Sequence, residues 1–89
     1  MLESDIKIMN RLGLHARASA KWVNTASAYT AEVTLAKEGQ VVNGKSIMGV
    51  MMLAASYGTQ LQLQVTGEDE QQAMQALLHL VDDRFGEHN

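Results

Sequence analysis

Polar and apolar residues alternate with two different periods along this chain of 89 residues. Ile6 and Ile8 exchange with Asp5 and Lys7, a period of two that predicts a half-buried first strand, ended by the turn residues 10–13. From about Ala16 to Ala28 the period becomes helical. Ser19, Trp22, Val23 and Ala26 recur at i, i+3, i+4 and i+7 and predict one face packed on a sheet. Beside it runs a stripe of small residues, Ala16, Ala20, Asn24 and Ser27, which lets another surface approach closely.

Residues 31–43 read as two strands, with Val33 and Leu35 pointing inward and a hairpin turn in which Gly39 takes positive φ. Ser46 is a good N-cap for a short second helix carrying Ile47, Met48, Val50, Met51 and Met52. Next comes the clearest strand, with Leu61, Leu63 and Val65 on one face and Gln60, Gln62 and Gln64 on the other. The last periodic segment opens with Glu68, Asp69 and Glu70, favourable at the positive end of a helix, and closes with Arg84 and Gly86. Its inner stripe is Ala73, Ala76, Leu77, Leu80 and Val81, and its outer one Gln71, Gln72, Gln75 and His79. The order strand, helix, strand, strand, helix, strand, helix predicts an α+β fold. The hairpin and the polar outer face favour a four-stranded, mostly antiparallel sheet with all three helices on one face.

Composition narrows the function. A length of 89 residues, 46% hydrophobic and 19% charged, predicts a single folded domain over 1–89. Acids outnumber bases ten to seven, and the aromatics are Trp22, Tyr29, Tyr57 and Phe85, which argues against nucleic acid as a partner. Without cysteine there is no disulfide, thiolate nucleophile or Cys-based metal site, so the cytoplasm is the expected compartment. No apolar run approaches the roughly 20 residues of a membrane span, and the first residues lack a signal peptide's apolar centre, so no membrane insertion is expected.

Of three histidines, His79 and His88 read as solvated surface, with no ligand partner at a metal spacing, so no metal site or cofactor is expected. His15 differs because it immediately precedes a helix whose free N–H groups favour an anion. That field disfavours imidazolium and leaves a neutral ring available as a nucleophile. A phosphoryl group on the ring could be held by the N–H groups of Ala16 and Arg17 and by the Arg17 guanidinium. Equally, an isolated His-Ala-Arg can be a poor cap beside a solvated charge, and spacing does not decide between these. Ser46 is likewise both a cap and a place where a phosphate would be tolerated. So short a second helix cannot bury every apolar residue of Ser-Ile-Met-Gly-Val-Met-Met-Leu, which predicts an exposed docking patch. Asn43-Gly44-Lys45-Ser46 resembles the end of a phosphate-binding loop, but the upstream glycine lies in a hairpin turn and not after a buried parallel strand.

Leu-Gly-Leu-His-Ala-Arg-Ala-Ser, at positions 12–19, and Lys-Ser-Ile-Met-Gly-Val-Met-Met-Leu, at 45–53, together resemble the two signatures of the HPr family at the family's spacing. These are the histidine-containing phosphocarriers of the bacterial phosphotransferase system. The resemblance covers essentially the whole chain. It implies a βαββαβα open-faced β-sandwich that accepts a phosphoryl group from Enzyme I, itself charged by phosphoenolpyruvate, and passes it to an enzyme IIA. It further implies that His15 is phosphorylated through Nδ1 with Arg17 as charge partner. Ser46 matches the regulatory serine, for which an HPr kinase/phosphorylase is a candidate partner. Ala16, Ala20, Ile47, Met48 and Met51 match positions that contact partners. Such a carrier is a relay that turns over with its partners and not a stand-alone enzyme. The alternative is a regulatory binding module of nitrogen or carbon-catabolite control with little sugar flux. One departure is Ala18, where the family usually has proline, so the first helical turn loses a fixed φ and gains an N–H.

Overall fold

The computed structural model of the chain describes residues 1–87. Four strands form one sheet: β1 (Leu2–Lys7), β2 (Glu32–Lys37), β3 (Gln40–Asn43) and β4 (Gln60–Thr66). Helices α1 (Ala16–Ser27), α2 (Ile47–Met52) and α3 (Glu70–Asp82) follow β1, β3 and β4, and a 3-10 turn, Arg84–Gly86, follows α3. The spatial order is β1-β4-β2-β3, and all three pairings are antiparallel.

Register follows from burial. β4 sits centrally, placing Leu61 opposite Ile6 and pairing Leu63 and Val65 with Leu35 and Val33 of β2, so the apolar members of three strands share one face. A slip of one residue would expose all of them. Gln60, Gln62 and Gln64 lie exposed on the opposite face, which no helix covers. On the inner face α1 contributes Ala18, Ser19, Trp22, Val23 and Ala26, α2 Val50, and α3 Ala73, Met74, Leu77 and Val81. The sheet is therefore open on one side and carries three helices on the other. The β2–β3 hairpin turns through Glu38 and Gly39 at φ of 50° and 85°, the paired positive values of a two-residue turn matched to strand twist.

The last helix departs from expectation at both ends. It begins at Glu70 with Asp69 as N-cap, whose carboxylate makes no cap bond because it accepts hydrogen bonds from the N–H groups of Thr30 and Ala31 at 2.8 Å each. It ends at Asp82, so Gly86 does not cap it. Along its length Met74 is buried while Ala76 and Leu80 are half-buried, so the helix is turned slightly from the periodicity-based face. The expected surface position of His88 lies outside the described residues; His79 is exposed.

Candidate functional site

Residues 8–14 carry the chain from β1 to α1 and are fixed before α1 begins. Ile8 N–H donates to the Thr59 carbonyl at 2.9 Å and Leu14 N–H to the Ala55 carbonyl at 2.8 Å, which clamps this segment to the loop between α2 and β4. Gly13, at φ 68°, makes the approach possible, since a Cβ there would lie 2.5 Å from the Ala55 carbonyl oxygen. Buried Ser19 then donates its hydroxyl to the Leu14 carbonyl at 3.1 Å. His15 thus enters α1 from a rigid approach.

His15 is the N-cap of α1, in extended conformation, and its Nδ1 accepts from the Arg17 N–H at 3.2 Å. The cap uses one of the four free N–H groups at the head of the helix. Those of Ala16 and Ala18 have no acceptor among the described residues. The other ring nitrogen, Nε2, lies 2.5 Å from the Glu87 carboxylate, with the two side chains 29% and 15% exposed. The ring is therefore partly exposed while both nitrogens have partners.

Glu87 reaches the ring by a constrained path. Arg84 and Phe85 both adopt left-handed φ, 53° and 54°, costing on the order of 1 kcal/mol each for non-glycine residues. The buried Phe85 ring anchors the segment, and Lys21 of α1 donates through Nζ to the Phe85 carbonyl at 2.6 Å. Asn10, wholly buried, donates through Nδ2 to Glu87 Oε1 at 2.9 Å and to the Gly13 carbonyl at 2.7 Å. Burial would raise the Glu87 carboxyl, but the hydrogen bonds from Asn10 and His15 and the charge of Lys21 hold it below its ordinary value. Neither Asn10 nor Glu87 is marked by a local sequence signal.

The remaining candidates lie on two helices. Arg17 and Ala16 are exposed and Ala20 half-buried on α1, and the Arg17 guanidinium makes no hydrogen bond or ion pair among the described residues. Its contact with the ring runs through the backbone. Ser46 caps α2, its Oγ accepting from Gly49 N–H at 3.1 Å. Of the residues expected to be exposed, Met48 is 77% exposed and Ile47, Met51 and Met52 also lie open, leaving an uncovered apolar surface on α2. Helices α1 and α2 pack against each other. Among the described residues no three His, Cys, Asp or Glu gather as metal ligands, and no helix is long and apolar enough to cross a membrane.

In chemical terms, the head of α1 offers a fixed imidazole nitrogen beside unpartnered N–H donors, a site suited to taking up an anionic electrophile. Known proteins share this arrangement of elements. A family model described as "PTS HPr component phosphorylation site" matches residues 2–83. The phosphocarrier protein HPr of Xylella fastidiosa is 54% identical over 87 residues, 98% of each chain. The crystal structure of HPr-C-His from Thermoanaerobacter tengcongensis has a TM-score of 0.96 and 43% identity, covering 100% of both chains. The HPr-like protein Crh of Halalkalibacterium halodurans is 40% identical over 82 residues, 92% of this chain and 98% of its own. Fold and matches together define a small carrier component of the phosphotransferase system. The chain belongs to the HPr family of phosphocarrier proteins.

Proposed function

We propose that this chain, as one domain over 1–89, accepts a phosphoryl group from Enzyme I on His15 Nδ1 and passes it to an enzyme IIA in the cytoplasm. The observation that carries this reading is the unequal treatment of the two ring nitrogens. Nε2 is taken by a carboxylate at 2.5 Å, whereas Nδ1 faces the N–H groups of α1 through one longer contact of 3.2 Å. A phosphoryl group attached at Nδ1 would take over the Arg17 N–H from the ring nitrogen and meet the free N–H of Ala16, and charge-assisted hydrogen bonds of this kind contribute about 1.5–3 kcal/mol each. Transfer needs little beyond positioning and charge stabilisation, so a single histidine on a rigid helix start suffices. Arg17, exposed and without a side-chain partner among the described residues, supplies a cation that can close on the phosphoryl oxygens once they arrive. Ala16, Ala20, Ile47, Met48 and Met51 form the surface on which partners dock, and Ser46 is a regulatory phosphorylation site within it, for which an HPr kinase/phosphorylase is the candidate enzyme.

A regulatory module is the second reading, favoured by the likeness to an HPr-like Crh protein. The presence of His15 in a capped, oriented state favours the carrier.

Incubation with phosphoenolpyruvate and Enzyme I, followed by intact mass at neutral pH, should add one phosphoryl group to the wild type and none to His15→Ala. Subsequent addition of an enzyme IIA should remove it. Absence of the adduct, or equal labelling of His15→Ala, would contradict the carrier reading; an adduct that no enzyme IIA removes would favour the regulatory one.

A further inference from the structure

We propose that Glu87 is a positioning residue for phosphoryl transfer, holding the His15 ring as its Nε2–H tautomer and stabilising the charge that ring gains; this rests on His15 being the acceptor. The matched family region ends at residue 83, so nothing in that match speaks for Glu87.

The tautomer follows from the partners. Nδ1 accepts from the Arg17 N–H, so the ring proton of the neutral form sits on Nε2, where the Glu87 carboxylate, an acceptor only, receives it. The nucleophilic lone pair is then on Nδ1, the nitrogen beside the head of α1. A carboxylate behind a catalytic histidine has the same effect in hydrolytic triads, fixing the ring and stabilising the imidazolium that forms.

The contact is built and not incidental. Glu87 cannot sample the surface freely, because Asn10 holds its other oxygen from a fully buried position and Lys21 clamps the preceding carbonyl. Two successive non-glycine residues in left-handed conformation bring it there. A carboxylate kept below its ordinary value is ionised throughout the neutral range.

The transfer step balances as follows. The Nδ1 lone pair forms the N–P bond while the bond from phosphorus to the donor breaks, its electron pair leaving with the donor. No proton moves: the one on Nε2 stays, so the ring becomes an imidazolium opposite the Glu87 anion. In the onward step the N–P pair returns to Nδ1 and the ring is again neutral. Because ring charge develops toward the transition state of uptake, the carboxylate assists transfer from Enzyme I, and it stabilises the charged ring from which onward transfer starts.

Glu87→Gln keeps an acceptor for Nε2–H and removes the charge; Glu87→Ala removes both. Transfer from Enzyme I, measured at limiting and saturating carrier, should slow by roughly 5- to 50-fold in turnover for both variants, with little change in KM. The 15N signals of the His15 ring should show the Nε2–H tautomer retained in Glu87→Gln and mixed tautomers in Glu87→Ala. Unchanged turnover in both variants, faster turnover in Glu87→Ala, or a loss confined to KM would overturn the proposal. If wild type is labelled on His15 while the variants match it, only the role of Glu87 falls; if wild type is not labelled there, the carrier reading falls and this proposal with it.

Discussion

At position 46 one hydroxyl has two duties that can be separated. As the cap of α2 it accepts from Gly49 N–H, and Ser46→Ala should cost about 1 kcal/mol. In a domain of this size that lowers Tm by about 4–8 °C. Ser46→Asp keeps a capping oxygen and adds charge beside the exposed Ile47 and Met48, so thermal melting should stay close to wild type while transfer from Enzyme I slows. Unchanged transfer kinetics would remove the regulatory role from Ser46. Ala18 is the other telling residue. Its N–H has no acceptor among the described residues, so Ala18→Pro breaks no hydrogen bond and restricts the unfolded chain, and stability should hold or rise by up to about 1 kcal/mol. Transfer should be preserved or faster, since the Ala16 donor and the helix field remain. A marked loss of rate with an intact fold would show that the Ala18 N–H itself holds the phosphoryl group.

Local chemistry explains which elements could be read from the chain and which could not. The alternation in β4, the face of Ser19, Trp22, Val23 and Ala26 in α1 and the Ser46 cap are all set by neighbours a few residues away, and all three occur. The ends of α3 were not legible, because they answer to distant partners: Asp69 bonds across 38 and 39 residues to the loop after α1, and the turn after α3 is shaped by Lys21, 64 residues from Phe85. The site divides in the same way. His15 stands out in sequence because it precedes a helix. Glu87 and Asn10 do not, since the bonds that bring them to it or to each other span 72 and 77 residues. The patch of Met48, Met51 and Met52 was foreseeable from the shortness of α2, and the solvated Arg17 was one of the two readings that the sequence left open.

Over the whole molecule the antiparallel sheet brings β1 and β4, more than 50 residues apart in the chain, side by side in one layer, and carboxylates tie the helices over it. Asp69 joins the start of α3 to the end of the α1–β2 loop, and the hydrogen bond from Thr30, aided by that from Ala31, outweighs desolvation to hold its carboxyl below the ordinary value. A group depressed in the folded state contributes stability above its unfolded pKa and loses that contribution as pH falls through its folded pKa. Wild type should therefore exceed Asp69→Asn in stability at neutral pH, and the two unfolding curves should converge below the usual carboxylate range of about 4. A difference that persisted undiminished into acid would mean that Asp69 acts by packing and not by charge.

The central claim is that the head of α1 presents Nδ1 of His15 to the phosphoryl group while Nε2 stays with Glu87. NMR of the 15N-labelled protein after phosphorylation by Enzyme I and phosphoenolpyruvate tests it most directly. The account predicts phosphorus coupled to Nδ1 of His15, with a proton still on Nε2. Phosphorus coupled to Nε2, or to any other residue, would contradict it.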